Sequence, residues 1–142
     1  MIARNVLRTG QFDTPLGQFE DLAFALSALS LYNMGVGNFQ QALRNMIRAV
    51  DSVNFLNNRP RMAEVFTTMA QVYQRLGQYK ESHGYFERAY QAGLRAENPQ
   101  HQVWGLNGKA GILLYQGGMD HAHQAVDLIN ASIPLLVGST DH

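Results

Sequence analysis

The sequence predicts an all-α solenoid of three stacked helix pairs, and three observations support this prediction. The composition favours helix over strand, because the 142 residues include 15 Ala and 16 Leu but only five Ile and five Thr. A 40-residue repeat runs through most of the chain. Within each repeat, apolar residues recur at spacings of three and four, which is typical of one buried face of a helix.

The repeat becomes visible when each residue is compared with the one 40 positions later. Gly37, Gly77 and Gly117 align in this register. Six further columns align, and nearly every one keeps its size class: Leu26, Phe66 and Leu106; Ser30, Ala70 and Ala110; Phe39, Tyr79 and Met119; Ala42, Ser82 and Ala122; Met46, Phe86 and Val126; Ala49, Ala89 and Ile129. Chance could align three glycines but would hardly align the other columns as well, so we interpret the register as internal repetition.

The first helix of each repeat is predicted at about 15–35, 60–76 and 99–116. Each start has a capping side chain followed by proline: Thr14-Pro15, Asn58-Arg59-Pro60 and Asn98-Pro99. The aligned glycines end these helices, because a left-handed residue at a helix end costs glycine least.

The second helices are predicted at about 39–56, 79–96 and 119–137. In the middle repeat, Tyr79, Ser82, Phe86 and Ala89 form the apolar or small stripe of such a helix. Small residues such as Ala70 and Ala89 are expected to let the two helices approach closely, while Phe66 and Phe86 fill the space between them.

These residues resemble the tetratricopeptide repeat (TPR). The middle unit matches its pattern best, through Phe66, Met69-Ala70, Tyr73, Gly77, Ser82, Phe86 and Ala89. The first unit departs from the pattern at Asn33 and Met46, and Pro134 of the third lies where the family has its closing proline. The resemblance covers about 20–137 and implies a right-handed superhelix. The 40-residue period exceeds the family's usual length of about 34 and is similar to the longer-helix arrays of large bacterial regulatory proteins.

The register also predicts how the chain is divided. Three helix-turn-helix repeats are expected at about 15–57, 58–97 and 98–138, followed by a disordered tail over 139–142. Residues 4–8 resemble residues 44–48 one period later. Residues 1–14 are therefore predicted to be the remnant of a preceding repeat helix, which would make the chain a piece of a longer array. The alternative is a short N-terminal cap.

Charge and composition exclude several classes of function. Eleven basic and eleven acidic residues give a net charge of zero, which argues against nucleic-acid binding and against a polybasic membrane anchor. Twelve Gln and ten Asn are as numerous as all the charged residues together. The absence of Cys excludes disulfides and thiolate zinc sites. No apolar run is long enough to span a bilayer and no signal peptide is recognisable, so a cytoplasmic location is expected.

The sequence motifs predict neither a catalytic site nor a metal site. Asp120, His123 and Asp127 share a helix face, but no residue of another helix is placed to complete a metal shell. His83 and His101 are predicted at helix surfaces. The segment 105–109 superficially resembles a phosphate loop, yet it has the wrong spacing and lies inside a helix. We therefore predict a non-catalytic protein without a cofactor or metal.

The resemblance instead implies a binding groove on the inner wall formed by the first helices. Transferring the family's inner-wall positions selects these candidate partner-binding residues: Glu64, Thr67, Gln71, Gln74, Arg75, Trp104, Asn107 and Tyr115. Trp104 is the only Trp, and it is either an exposed binding anchor or a residue packed into the neighbouring helix. The amides among these residues suit hydrogen bonding to a peptide backbone.

The predicted function is protein–protein interaction within a larger bacterial regulatory or signalling protein, with a peptide or domain bound in the groove. One alternative is a structural scaffold that self-associates through its uncovered ends, because the last helix carries an apolar stripe of Ile129, Ile133, Leu136 and Val137. A second alternative is a domain that senses a small ligand or signalling peptide.

Overall fold

The computed structural model describes the backbone of residues 15–56 and 59–140, and describes side chains within 22–54 and 61–138. This part of the chain forms six helices: α1 (Pro15–Gly35), α2 (Phe39–Leu56), α3 (Arg59–Arg75), α4 (Tyr79–Arg95), α5 (Pro99–Gln116) and α6 (Met119–Thr140). The all-α fold and the six predicted helices are confirmed. The predicted remnant or cap over 1–14 lies outside the described residues.

The largest difference from the predicted boundaries is at the end of α6. This helix was expected to stop near residue 137, but it continues to Thr140, two residues into the segment predicted as a tail. Pro134 lies inside α6 and does not close it. Proline removes a single backbone donor, so residues beyond it can resume the helical hydrogen bonding.

The turns between paired helices repeat the same geometry. Gly37, Gly77 and Gly117 have φ angles of +83°, +77° and +76°, which L-residues with a side chain rarely adopt. In the first two turns the backbone N–H groups of Asn38 and Gln78 each donate back to the carbonyl five residues earlier. The glycine column of the repeat therefore marks a required backbone conformation.

Within the first two units a serine hydroxyl joins the paired helices. The Ser30 Oγ donates to the carbonyl of Ala42, at 3.0 Å, and the Ser82 Oγ donates to the carbonyl of Ala70, at 2.7 Å. Serine is on the first helix of one unit and on the second helix of the other, always opposite alanine. Both serines are fully buried. The close contact between the paired helices thus joins two small residues, and the serine hydroxyl can come from either helix.

The order of packing creates two different walls. Each helix packs against the next along the chain, and α1 also touches α3, as α3 touches α5. The second helices α2, α4 and α6 do not touch one another within the described residues. The first helices therefore form a contiguous inner wall, and the second helices are spread along the outside. Phe66, Ala70, Phe86 and Ala89 are buried between them, as predicted.

Two glycines of α5 bring it into close contact with α4, a packing role that was not predicted for them. A Cβ at Gly105 would lie 2.6 Å from the Cβ of Tyr90 and 2.7 Å from its backbone nitrogen. A Cβ at Gly108 would lie 2.2 Å from a ring carbon of Phe86. The segment that superficially resembles a phosphate loop is a helix-packing surface.

Candidate functional site

A groove crosses the inner wall near the carboxyl ends of the first helices. It has a volume of about 660 Å³ and is lined by side chains from all three units: Met34 of α1; Gln71, Gln74 and Arg75 of α3; and Tyr115 of α5. We call this the inner groove. Gln71 and Arg75 are exposed and lie one helical turn apart, so both face the same space. Four of the eight predicted binding residues thus line one groove.

Tyr115 is the exposed aromatic side chain of the inner groove. Its ring is stacked on that of Tyr79, with centroids 6.1 Å apart and an interplanar angle of 27°. Tyr79 begins α4 and is half-buried, so it supports one face of a side chain that is otherwise 67% exposed. From the sequence, Tyr79 was predicted only as part of the apolar stripe of its helix, and the missed signal is its position two residues after the turn glycine Gly77.

The opposite end of the inner wall carries a second group of side chains. Glu64 pairs with Arg61 on its own helix, with Nη1 and Oε2 2.7 Å apart. The guanidinium of Arg61 also lies over the ring of Phe24, 5.4 Å from its centroid. On α5, the half-buried Trp104 contacts the ring of His101, with centroids 4.7 Å apart. Glu64 and Trp104 therefore lie outside the lining of the inner groove.

The two remaining predicted residues occupy separate positions. The hydroxyl of Thr67 donates to the carbonyl of Ala63 on its own helix, at 2.8 Å, and Thr67 is half-buried. Asn107 is exposed. Neither of them lines the inner groove. A position in the family's repeat pattern specifies the helix face on which a residue lies. How deeply its side chain is buried depends on the neighbouring side chains.

The surface position predicted for His101 is wrong. His101 is buried, since it lies in the first turn of α5 against Gly93 of α4. Its Nδ1 is buried without a hydrogen-bond partner among the described residues. Burial lowers the pKa of His101, although the nearby carboxylate of Glu64 acts in the opposite direction. The cap that starts this helix is as predicted, because the Asn98 Oδ1 accepts from the His101 backbone N–H at 3.1 Å.

An ion pair between the buried Lys109 and the partly exposed Glu87 joins α4 to α5. The ammonium of the buried Lys109 donates to the carboxylate of Glu87 and lies 5.3 Å from the ring centroid of Tyr90. Burial alone would raise the pKa of Glu87, but hydrogen bonds from Gln91 and Lys109 outweigh it and lower that pKa. In the 40-residue register Lys109 aligns with Met69. A charged residue at a position that is apolar in the preceding unit was therefore the sequence signal for this ion pair.

Acidification below neutral pH is expected to destabilise the fold through two histidines. Burial lowers the pKa of His83, with a further lowering from the charge of Lys109, and burial lowers the pKa of His101. The unfolded chain, with His near pKa 6.5, therefore binds more protons, and stability falls as pH drops through and below that value. The measurement is the free energy of unfolding in denaturant at several pH values between neutral and about 5.

Two variants isolate this pH effect. His101→Gln is expected to flatten the dependence, because it removes one proton-binding group whose affinity differs between states. The exposed His123 gives a matched control, and His123→Gln is expected to leave the slope as in the wild type. A slope unchanged by His101→Gln would contradict the assignment.

Two other kinds of site were sought in the described residues. No three His, Cys, Asp or Glu side chains there are grouped so that they could hold a metal ion. No helix among these residues has the length and apolar character needed to cross a membrane.

Stacked helix pairs with a contiguous inner wall and a groove across it define a helical repeat protein. A family model, described as tetratricopeptide repeat, matches residues 21–94, just over half of the chain. The chain belongs to the tetratricopeptide repeat family. Members of this family typically are non-catalytic modules that bind other proteins. No match is found among the curated proteins.

Proposed function

We propose that this protein is a non-catalytic interaction module that binds a peptide or a protein segment in the inner groove. The observation that carries the proposal is that one groove gathers side chains from the first helices of all three units. A surface built by three stacked units presents a continuous row of contacts, as an extended ligand requires. The longer-helix repeat supports a place for the module in a larger cytoplasmic regulatory or signalling protein.

The chemistry of the inner groove favours recognition of polypeptide backbone. Gln71 and Gln74 offer both donors and acceptors, which match the N–H and C=O groups of an extended peptide. Tyr115 provides a rigid aromatic contact backed by Tyr79, and an aromatic anchor of this kind commonly carries much of the binding energy. Arg75 adds one positive charge at the edge of an otherwise neutral lining.

Selection from a display library of random peptides on the folded chain provides a probe for the groove. A selected peptide, labelled with a fluorophore, is titrated with each variant and followed by anisotropy. Tyr115→Ala is expected to weaken binding at least tenfold, or about 1.4 kcal/mol, because it removes the aromatic contact of the groove. Gln71→Ala is expected to weaken binding by a smaller factor.

Matched controls use the same substitutions outside the groove. Tyr32 is about as exposed as Tyr115 but does not line the groove, so Tyr32→Ala is expected to bind the selected peptide as the wild type does. Arg75→Ala is also expected to weaken binding, because it removes the positive charge of the groove lining, and Arg48→Ala on the exposed side of α2 is its control. Equal binding by wild type and by a Tyr115→Ala, Gln71→Ala double variant would refute the groove as the site, as would failure to enrich any peptide.

A further inference from the structure

The face of α6 at the end of the solenoid is apolar at repeat positions that are buried in the other two units. Val126, Ile129 and Ile133 are 52%, 38% and 48% exposed. These residues follow one another at spacings of three and four, so they form one stripe along the helix. Three adjacent branched apolar side chains in water form a patch of the kind that marks an interaction surface.

The first two units show what covers these columns. In unit one the columns hold Met46, Ala49 and Val53, which are fully buried in a core cluster that includes residues of α3. In unit two they hold Phe86, Ala89 and Gly93, which are also buried, and Phe86 and Gly93 lie against α5. In both cases the first helix of the following unit contributes to the burial. The stripe on α6 therefore has the composition and position of a surface that receives a first helix.

Helix α1 exposes the complementary face. The face of α5 that packs on α4 includes Gly105, Gly108 and Ile112. The same columns of α1 hold Ala25, Ala28 and Tyr32. All three are exposed, although their equivalents in α5 are half-buried or buried. Two small residues and an aromatic ring, spaced for one helix face, thus remain uncovered at the opposite end of the solenoid from the α6 stripe.

The sizes of the residues at these columns match across the two exposed faces. In the α4–α5 contact, Gly108 lies against Phe86 and Gly105 lies against Tyr90. The equivalent pairs between α6 and α1 are Ala28 with Val126, and Ala25 with Asn130. Methyl groups on α1 replace hydrogens, and smaller side chains on α6 replace the aromatic rings. Because backbone atoms of α4 would lie 2.7 and 2.8 Å from a Cβ at Gly105, the α1–α6 contact needs a wider helix separation than the α4–α5 contact.

We propose that α1 of a second copy of this chain docks on the apolar stripe of α6, where the first helix of a following unit would lie. The two helices lie farther apart than α4 and α5, because Ala25 and Ala28 have Cβ atoms where α5 has Gly105 and Gly108. This contact is independent of the inner groove. It joins different faces of the two copies, so a pair keeps α1 free on one copy and α6 free on the other, and the association is head-to-tail. The average mass in solution should therefore rise continuously with concentration, without a plateau at the dimer.

Single cysteines test the geometry directly, because the natural chain has none. One sample carries Ala25→Cys and the other Asn130→Cys, whose equivalents in the α4–α5 contact, Gly105 and Tyr90, lie directly against each other. The wider separation of α1 and α6 leaves room for the Cβ–Cβ distance of about 3.5–4.5 Å that a disulfide needs. Under mild oxidation the mixture is expected to form a disulfide heterodimer, because docking brings the two thiols into bonding range. The control replaces Asn130→Cys with Gln124→Cys, whose unit-two equivalent Gly84 faces open space. Equal crosslinking of both mixtures would overturn the proposed register.

Light scattering and sedimentation of the cysteine-free chain over a range of concentrations test the assembly itself. Ile129→Glu is expected to abolish the rise in mass, because a carboxylate would be buried in the contact, and the Gln124→Glu control is expected to retain it. Circular dichroism checks that both variants stay folded. A strict monomer, as expected if residues 1–14 or another protein occupy these faces, would overturn the proposal. A closed dimer without the Ala25–Asn130 crosslink would do so too.

Discussion

The substitution Gly105→Ala is expected to lower the free energy of unfolding by on the order of 3 kcal/mol. The new methyl group would lie 2.6 Å from the Cβ of Tyr90, 2.7 Å from its backbone nitrogen and 2.8 Å from the carbonyl oxygen of Phe86. Two of these are backbone atoms of α4, so no rotation of a side chain can relieve the contact. Helix α5 must move away from α4 and loosen the packing around Phe86. Thermal or urea denaturation measures the loss.

The same substitution two turns further along α5 is expected to have the opposite sign. A Cβ at Gly111 would meet no atom within 4 Å, so Gly111→Ala adds helix propensity without a clash. Alanine is favoured over glycine inside a helix by about 1 kcal/mol, and the variant should be stabilised by up to that amount. A Gly105→Ala protein as stable as the wild type would show that α4 and α5 are not in close contact.

The substitution Glu87→Ala is expected to destabilise the fold by about 1–3 kcal/mol, because it leaves the buried ammonium of Lys109 without its carboxylate. The ring of Tyr90 remains near the ammonium but supplies no hydrogen-bond acceptor of comparable strength. The loss should appear as a lower denaturation midpoint in urea at neutral pH.

The partner substitution Lys109→Met is expected to stay within about 1 kcal/mol of the wild type. Methionine occupies the same repeat column at Met69, where it is fully buried, so the site suits an apolar side chain. Glu87 loses its cation but remains partly exposed to water and keeps the hydrogen bond from Gln91, at 2.7 Å. Equal losses from the two single substitutions would contradict this asymmetry.

Much of the fold could be predicted because the repeat register and the capping residues are local features of the sequence. The glycine column and the cap at Asn98 located helix ends to within three residues. Where prediction failed, the cause was non-local. His101 appeared to be a surface residue on its own helix, but its burial depends on the approach of α4 at Gly93.

The candidate site was predictable in part for the same reason. A position in the family's repeat pattern specifies one face of a first helix. As expected from that face, the inner groove is lined by Gln71, Gln74, Arg75 and Tyr115. The separation of Glu64 and Trp104 into a group at the other end of the wall was not predictable. It depends on the distance along the helix axes and on partners such as Arg61 and His101.

The all-α repeat, its period and the positions of the turn glycines follow from the amino-acid sequence alone, because hydrogen bonding and side-chain periodicity within a few residues set them. The roles of the packing glycines, the pairing of the buried Lys109 with Glu87 and the contacts along the inner wall follow from how the helices pack against one another. Each of these depends on atoms of a neighbouring helix that lie many residues away, and at such contacts differences of less than one ångström decide the outcome.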